Sequence, residues 1–243
     1  MREMALKENI ISVLGRIRSA AMAAGRNPEE ITLVAVSKTV PVHVVEEACK
    51  AGLAVFGENR IQEAAGKMEA MKSTPARWHF IGHLQTNKAR AALKLGFELI
   101  HSVDSERLFL ELEKQAGLLN INKKQNVLLE VKLSHEPSKH GMGPGELFNL
   151  LEKSSVATHI NIAGLMTMPP WSADREAARP YFSKLRELRD EAIGRGFTGC
   201  SALSMGMSGD FETAIEEGAT LVRVGDSIFG GRKNKETETV KND

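Results

Sequence analysis

The sequence predicts an α/β protein: a single (β/α)8 TIM barrel with an additional N-terminal helix. Three observations carry this. Eight short apolar, β-branched runs recur along the chain, and each except the last leads into a stretch of helical character. Several runs are uninterrupted, as in Leu33-Val34-Ala35-Val36 and Val127-Leu128-Leu129, which suits strands covered on both faces in a parallel sheet. Eight such units in 243 residues also match the arithmetic of this barrel, about 250 residues. An open doubly wound sheet is the alternative. It usually has fewer strands, and no Gly-x-Gly-x-x-Gly follows the first run.

The leading helix is predicted from Ile10, Leu14 and Ile17 at helical spacing, with Ala20 and Ala21 continuing the stripe until Gly25 and Pro28 stop it. The predicted strands are Ile31–Val36, Ala54–Phe56, Trp78–Ile81, Leu99–Ser102, Val127–Leu133, Ile160–Met166, Ala202–Met205 and Leu221–Val224. The Gly/Pro-rich stretches Gly141–Gly145 and Met166–Ser172 have the length of βα connections, so no linker divides the chain. Residues 1–232 are read as one domain and 233–243 as a disordered polar tail.

Composition excludes several classes. Lys and Arg number 32 against 31 Asp and Glu, a net charge of +1, with the two signs interleaved as in Glu187-Leu188-Arg189-Asp190-Glu191. No basic domain or stripe marks a nucleic-acid partner, and the best local basic candidate, Thr86-Asn87-Lys88-Ala89-Arg90, is short. No run approaches a membrane span, and the N-terminus lacks an apolar signal core. Cys49 and Cys200 are far apart without a Cys-x-x-Cys, which fits a reducing cytoplasm and gives no zinc framework.

Barrels of this type carry their sites at the C-terminal ends of the strands, and polar residues collect there. Lys38 follows the first apolar run. By alternation, an inward Lys38 brings Val36 and Val34 inward and leaves Ala35 against the helices. A desolvated Lys is a Schiff-base nucleophile; from position alone, a Lys that merely ends a strand and reaches solvent is the favoured reading. Ser204–Gly209 ends strand seven with hydroxyls and glycines. This suits either the phosphate site that recurs after strands seven and eight, completed by Gly225, or a plain turn capped at Ser208 or Asp210. On strand eight, Leu221, Arg223 and Gly225 share one face and Val222 and Val224 the other, which turns Arg223 into the barrel. A buried Arg needs an acceptor, either a carboxylate such as Glu58 or a ligand atom such as a pyridine nitrogen. His79 and His83 lie four apart, but on a strand, and no metal site is expected.

Val36-Ser37-Lys38-Thr39, Phe56-Gly57-Glu58-Asn59-Arg60, Trp78–Lys88, Leu203–Ser208 and Val222–Gly225 with Ile228-Phe229-Gly230 together resemble, in order, the pyridoxal phosphate homeostasis protein family, a barrel similar to the N-terminal domain of alanine racemase. The resemblance runs from about residue 31 to 232. It implies pyridoxal 5'-phosphate (vitamin B6) as cofactor, with Lys38 as the Schiff-base lysine. Ser204, Gly206 and Gly225 would sit at the phosphate, Arg223 at the pyridine nitrogen, and Asn59 and His83 along the ring and its open face. Ser138-Lys139-His140-Gly141 matches a further family segment near the site. Two departures stand out: Asp226 where the family often has Thr, with Ser227 beside it to compensate, and Met142 where an aromatic is common.

The function implied is cofactor homeostasis, that is, buffering or delivery of pyridoxal phosphate with indirect effects on amino-acid and keto-acid pools. An Arg opposite the ring nitrogen opposes its protonation and weakens the ring as an electron sink. Only Phe229–Asp243 follow strand eight, so no second catalytic domain is expected. The alternative is a small pyridoxal-phosphate-dependent amino-acid racemase or decarboxylase. The expected partners are the cofactor itself and pyridoxal-phosphate-dependent apo-enzymes, with no nucleic acid and no membrane, and the expected state is a cytoplasmic monomer.

Overall fold

The computed structural model describes residues 2–134, 136 and 140–231. The expected polar tail at 233–243, and Ser138 and Lys139 of the family-like segment, lie outside them. Eight parallel strands close into a barrel in sequence order: β1 Thr32–Val36, β2 Val55–Glu58, β3 Arg77–Phe80, β4 Leu99–Val103, β5 Gln125–Glu130, β6 Ile160–Met166, β7 Ala202–Ser204 and β8 Leu221–Val224. All eight predicted runs are strands. The fifth stops at Glu130 instead of Leu133, because Val131 makes only an isolated bridge to Met142 as the chain leaves the sheet.

The connecting helices are α2 Val42–Lys50, α3 Ile61–Ala70, α4 Ala89–Leu95, α5 Glu106–Leu118, α6 Pro144–Lys153, α7 Arg179–Gly194, α8 Phe211–Glu216 and the short α9 Asp226–Phe229. The leading helix, α1 Arg2–Ala23, packs on α8 and α9. Its buried stripe is Leu6, Ile10, Val13, Ile17, Ala20 and Ala21; Leu14, expected on that stripe, is 45% exposed, one position off the 3.6-residue period that Val13 keeps.

Two cores result, as the pleat requires. Between sheet and helices lies the larger one, built from residues such as Ala35, Phe56, Phe80, Leu129, Leu203, Val222 and Val224. Inside the barrel lie Val34, Val55, Leu99, Leu128, Met166 and Leu221. The alternation predicted for the first and last strands therefore holds: Val34 and Leu221 face in, and Ala35, Val222 and Val224 face out. Among the described residues no helix is long and apolar enough to cross a membrane. Both cysteines are free, and burial pushes the Cys200 thiol up to about 12, which makes it unreactive.

Candidate functional site

The C-terminal mouth of the barrel carries a cavity of about 800 Å³ over the ends of β1, β7 and β8, within the range of small-molecule sites. Val36 and Lys38 continue the inward parity of Val34 and line it. Lys38 is half-buried, and among the described residues its amine has no hydrogen-bond or ion-pair partner.

The backbone that carries Lys38 is clamped from behind. The Ser37 hydroxyl donates to Glu58 Oε1 (2.6 Å). Lys67 Nζ, from α3, donates to the Ser37 carbonyl (2.6 Å), to Glu58 Oε1 (2.7 Å) and to Glu63 Oε1 (2.7 Å). Glu63 Oε1 also accepts from the Thr39 N–H at 2.6 Å. Thr39 has φ +64°, a left-handed conformation uncommon for a β-branched residue, so this bond holds the chain where it turns away from Lys38. Glu58 is fully buried; burial raises its carboxyl above the usual range, while Lys67 and Ser37 act in the opposite sense. Glu58, offered by the sequence as an acceptor for Arg223, thus belongs to Lys67. Sequence reasoning passed over Lys67, since a helix lysine is ordinarily solvated; the signal available was a carboxylate ending a buried strand, which needs a partner.

Arg223 is 4% exposed and faces the cavity, as its parity on β8 predicts. Its Nη1 donates to Ser204 Oγ (2.5 Å) and its Nη2 to the Thr167 carbonyl (3.1 Å). No carboxylate forms an ion pair with it among the described residues. Burial lowers its pKa to about 10, against the attraction of Glu130 and Asp210, so it is a cation at neutral pH.

Ser204 stands below the cavity, not on its wall. It is fully buried on the inner face of β7, and Oγ lies 2.8 Å from His101 Nδ1, whose Nε2 lies 2.9 Å from His79 Nδ1. Arg223 can only donate to Ser204; the roles along the two imidazoles follow their tautomers, and where Ser204 donates to His101 Nδ1, His101 Nε2–H donates to His79 Nδ1. Both imidazoles are neutral: burial first, then neighbouring positive charge, depresses His101 well below its usual value and His79 to about 3. This interior chain, which positions Arg223, was not foreseen for His101.

Of the two serines in this loop, Ser208 is the one whose residue lines the cavity, as Thr39 and Ser172 also do; its hydroxyl accepts from the Gly225 N–H at 3.4 Å. Gly225 lines the cavity as well; a Cβ there would lie 3.2 Å from Val36, a tight contact that glycine relieves where the ends of β8 and β1 approach. Gly206 has φ +89°, and a Cβ would lie 2.6 Å from that of Ala214, so it folds the loop onto α8 instead of facing the cavity. Asp226 is on the cavity wall; its neighbour Ser227 is half-buried in α9.

Asn59 and His83 are placed elsewhere. Asn59 is half-buried with its backbone packed against Gly82. His83 is exposed and lines a second cavity of about 390 Å³, beyond β3, β4 and β5, together with Asp104 and His140. The structure therefore brings together Lys38, Ser208, Arg223 and Gly225, with Ser204 as support beneath Arg223, and leaves Asn59 and His83 outside this group.

Residues 16–233 match the family model described as alanine racemase, N-terminal domain. The chain is 46% identical over 226 residues to a pyridoxal phosphate homeostasis protein of Aquifex aeolicus, covering 93% of this chain and 98% of that protein. It is 44% identical over 229 residues to a protein of the same name from Pseudomonas aeruginosa, covering 93% and 96%. Among solved structures it is similar to PipY of Synechococcus elongatus with pyridoxal phosphate bound, at 35% identity and a TM-score of 0.81, covering 93% of this chain and all of that one.

Proposed function

The chain belongs to the pyridoxal phosphate homeostasis protein family, built on the alanine racemase N-terminal barrel, and on that premise we propose that it binds pyridoxal 5'-phosphate at the larger cavity and holds it for homeostasis. The observation that carries the reading is one cavity presenting both a half-buried amine, Lys38, and a buried guanidinium, Arg223, where among the described residues the amine has no partner and the guanidinium has only a hydroxyl and a carbonyl.

The residues fit the cofactor. Lys38 Nζ is the group to attach its aldehyde carbon. Arg223, a donor at every nitrogen, would face the ring nitrogen and keep a proton off it. Ser208, with the backbone at Gly225, would receive the phosphate; Ser204 reaches the cofactor only through Arg223. Pyridoxal phosphate, when bound, supplies an electrophilic aldehyde for primary amines and an electron-accepting ring. With Arg223 opposing ring protonation, the protein's own contribution favours holding the aldehyde over turning over amino acids, in keeping with the name its relatives carry. The same reading takes the protein to be cytoplasmic and its recipients to be pyridoxal-phosphate-dependent apo-enzymes.

The test is a spectrophotometric titration with pyridoxal phosphate. The wild-type chain should develop a visible absorption band at one equivalent, and K38A should lack it while melting as wild type does. Absence of the band in wild type, or its persistence in K38A, contradicts the reading.

A further inference from the structure

The second cavity has chemistry of its own and shares no lining residue with the first. His83 follows β3, Asp104 follows β4, and His140 precedes α6 on the chain that leaves β5. Asp104 Oδ2 lies 3.1 Å from His83 Nδ1 and 3.9 Å from His140 Nδ1, and one donor atom from each residue falls within 4.8 Å of the other two. A tetrahedral ion with bonds of about 2.0–2.1 Å needs donors roughly 3.3 Å apart, so Asp104 and His83 already stand near that spacing and His140 has to close in. We propose that His83, Asp104 and His140 bind a divalent transition metal ion of the zinc type.

The supports of the three ligands argue for a prepared site. The other carboxylate oxygen, Asp104 Oδ1, accepts from the Ser105 hydroxyl at 3.1 Å, which leaves Oδ2 turned to the imidazoles, as outer partners of metal carboxylates do. His83 is followed by the fully buried Leu84, and the Ser102 hydroxyl donates to the carbonyl of the preceding Gly82. After His140, Gly141 has φ +118°, and a Cβ there would lie 2.7 Å from the Lys132 N–H nitrogen; Met142 then pairs with Glu130 and Lys132. The two imidazoles stack with centroids 3.9 Å apart and planes 15° from parallel, so one ring must turn for both to share an ion. His140, whose side chain is 56% exposed, has the room to do so.

Two imidazoles and one carboxylate select zinc-like ions over magnesium or calcium, which prefer oxygen donors. Three protein ligands leave coordination positions open, as in zinc sites that take a further ligand. Arg107 and Lys132 line the same cavity, so water or an oxyanion is the group that suits those positions.

The site is tested on the untagged full-length chain by competition with a chromophoric zinc chelator. Expected is one equivalent of Zn²⁺ withdrawn from the chelator, unaffected by excess Mg²⁺, with affinity at least ~10-fold weaker in both D104N and H140A. The same samples with Co²⁺ should show a d–d spectrum that H140A alters. Circular dichroism and melting temperature establish that the variants fold. Failure of the wild-type chain to withdraw zinc, or equal affinity in folded D104N and H140A, overturns the assignment. Neither result depends on pyridoxal phosphate, so the cofactor reading stands or falls separately.

Discussion

Lys67 and Arg223 are both buried cations beside the Lys38 end of the barrel, yet they are satisfied in opposite ways. Lys67 is surrounded by acceptors: two carboxylates and a carbonyl receive its three protons within 2.7 Å. Among the described residues Arg223 has only the Ser204 hydroxyl and the Thr167 carbonyl, with Glu130 and Asp210 acting from farther away. A cation whose donors all meet carboxylates and carbonyls is structural; it fixes Ser37 and, through Glu63, Thr39, so that Lys38 between them projects in one direction. A cation held by neutral groups at the wall of a cavity retains charge for a ligand. The contrast separates positioning from binding within one small region.

Replacing each cation breaks the contrast most directly. Lys67→Met should cost about 3–5 kcal/mol of stability, because Glu58 would be left buried without its counter-ion. Urea unfolding measures this, and a loss under 1 kcal/mol would mean that the clamp is dispensable. Arg223→Met breaks no direct ion pair among the described residues, so its main effect should be on cofactor affinity: a charged hydrogen bond of about 1.5–3 kcal/mol, or roughly 10–100-fold, read by equilibrium dialysis. If Arg223→Met lost more stability than Lys67→Met, the two roles would be reversed.

The neutral chain beneath Arg223 gives a pH signature. His79 and His101 have folded pKa values depressed by burial, whereas the unfolded chain takes up protons near 6.5. Below that pH the unfolded state binds more protons, so their stabilisation is complete above about 6.5 and is lost as the pH falls toward 3. At pH 5 His79 removes about 2 kcal/mol relative to pH 7, and His101 acts in the same direction. Glu58, raised in the folded state, acts in the opposite sense over the carboxylate range. Chemical unfolding at pH 5 and 7 should therefore show a difference that a His79→Gln, His101→Asn double variant reduces; an undiminished difference would place its origin elsewhere.

The smallest expected effect distinguishes two serines four residues apart. Ser208→Ala should weaken pyridoxal phosphate retention by about 1–3 kcal/mol and leave pyridoxal, which has no phosphate, unchanged. Ser204→Ala should weaken both forms alike, since it acts through Arg223. The reverse pattern would put the phosphate at Ser204.

The fold was legible because β-branched apolar runs are a direct record of strands buried on both faces, and strand alternation then placed Val34, Ala35, Leu221 and Arg223 correctly. Ser204 and Ser208 were harder to tell apart. Both stand in the glycine-containing hexapeptide Ser204–Gly209, and only the end of β7 at Ser204, with the loop turning at Gly206, assigns the first to the barrel interior and the second to the cavity. His101 carried a parity signal, two residues after the inward Leu99, but lies within a strand and not at its end. The association of His83, Asp104 and His140 joins three separate strand ends, and no local spacing records it.

The central claim is that Lys38, not the clamped Lys67 behind it, attaches the cofactor aldehyde. Borohydride reduction of the protein after loading with pyridoxal phosphate, followed by peptide mass mapping, tests it most directly. A single phosphopyridoxyl group on Lys38, with Lys67 unmodified, is the predicted result. An adduct centred on Lys67 or spread over surface lysines, or no adduct at all, would contradict the account.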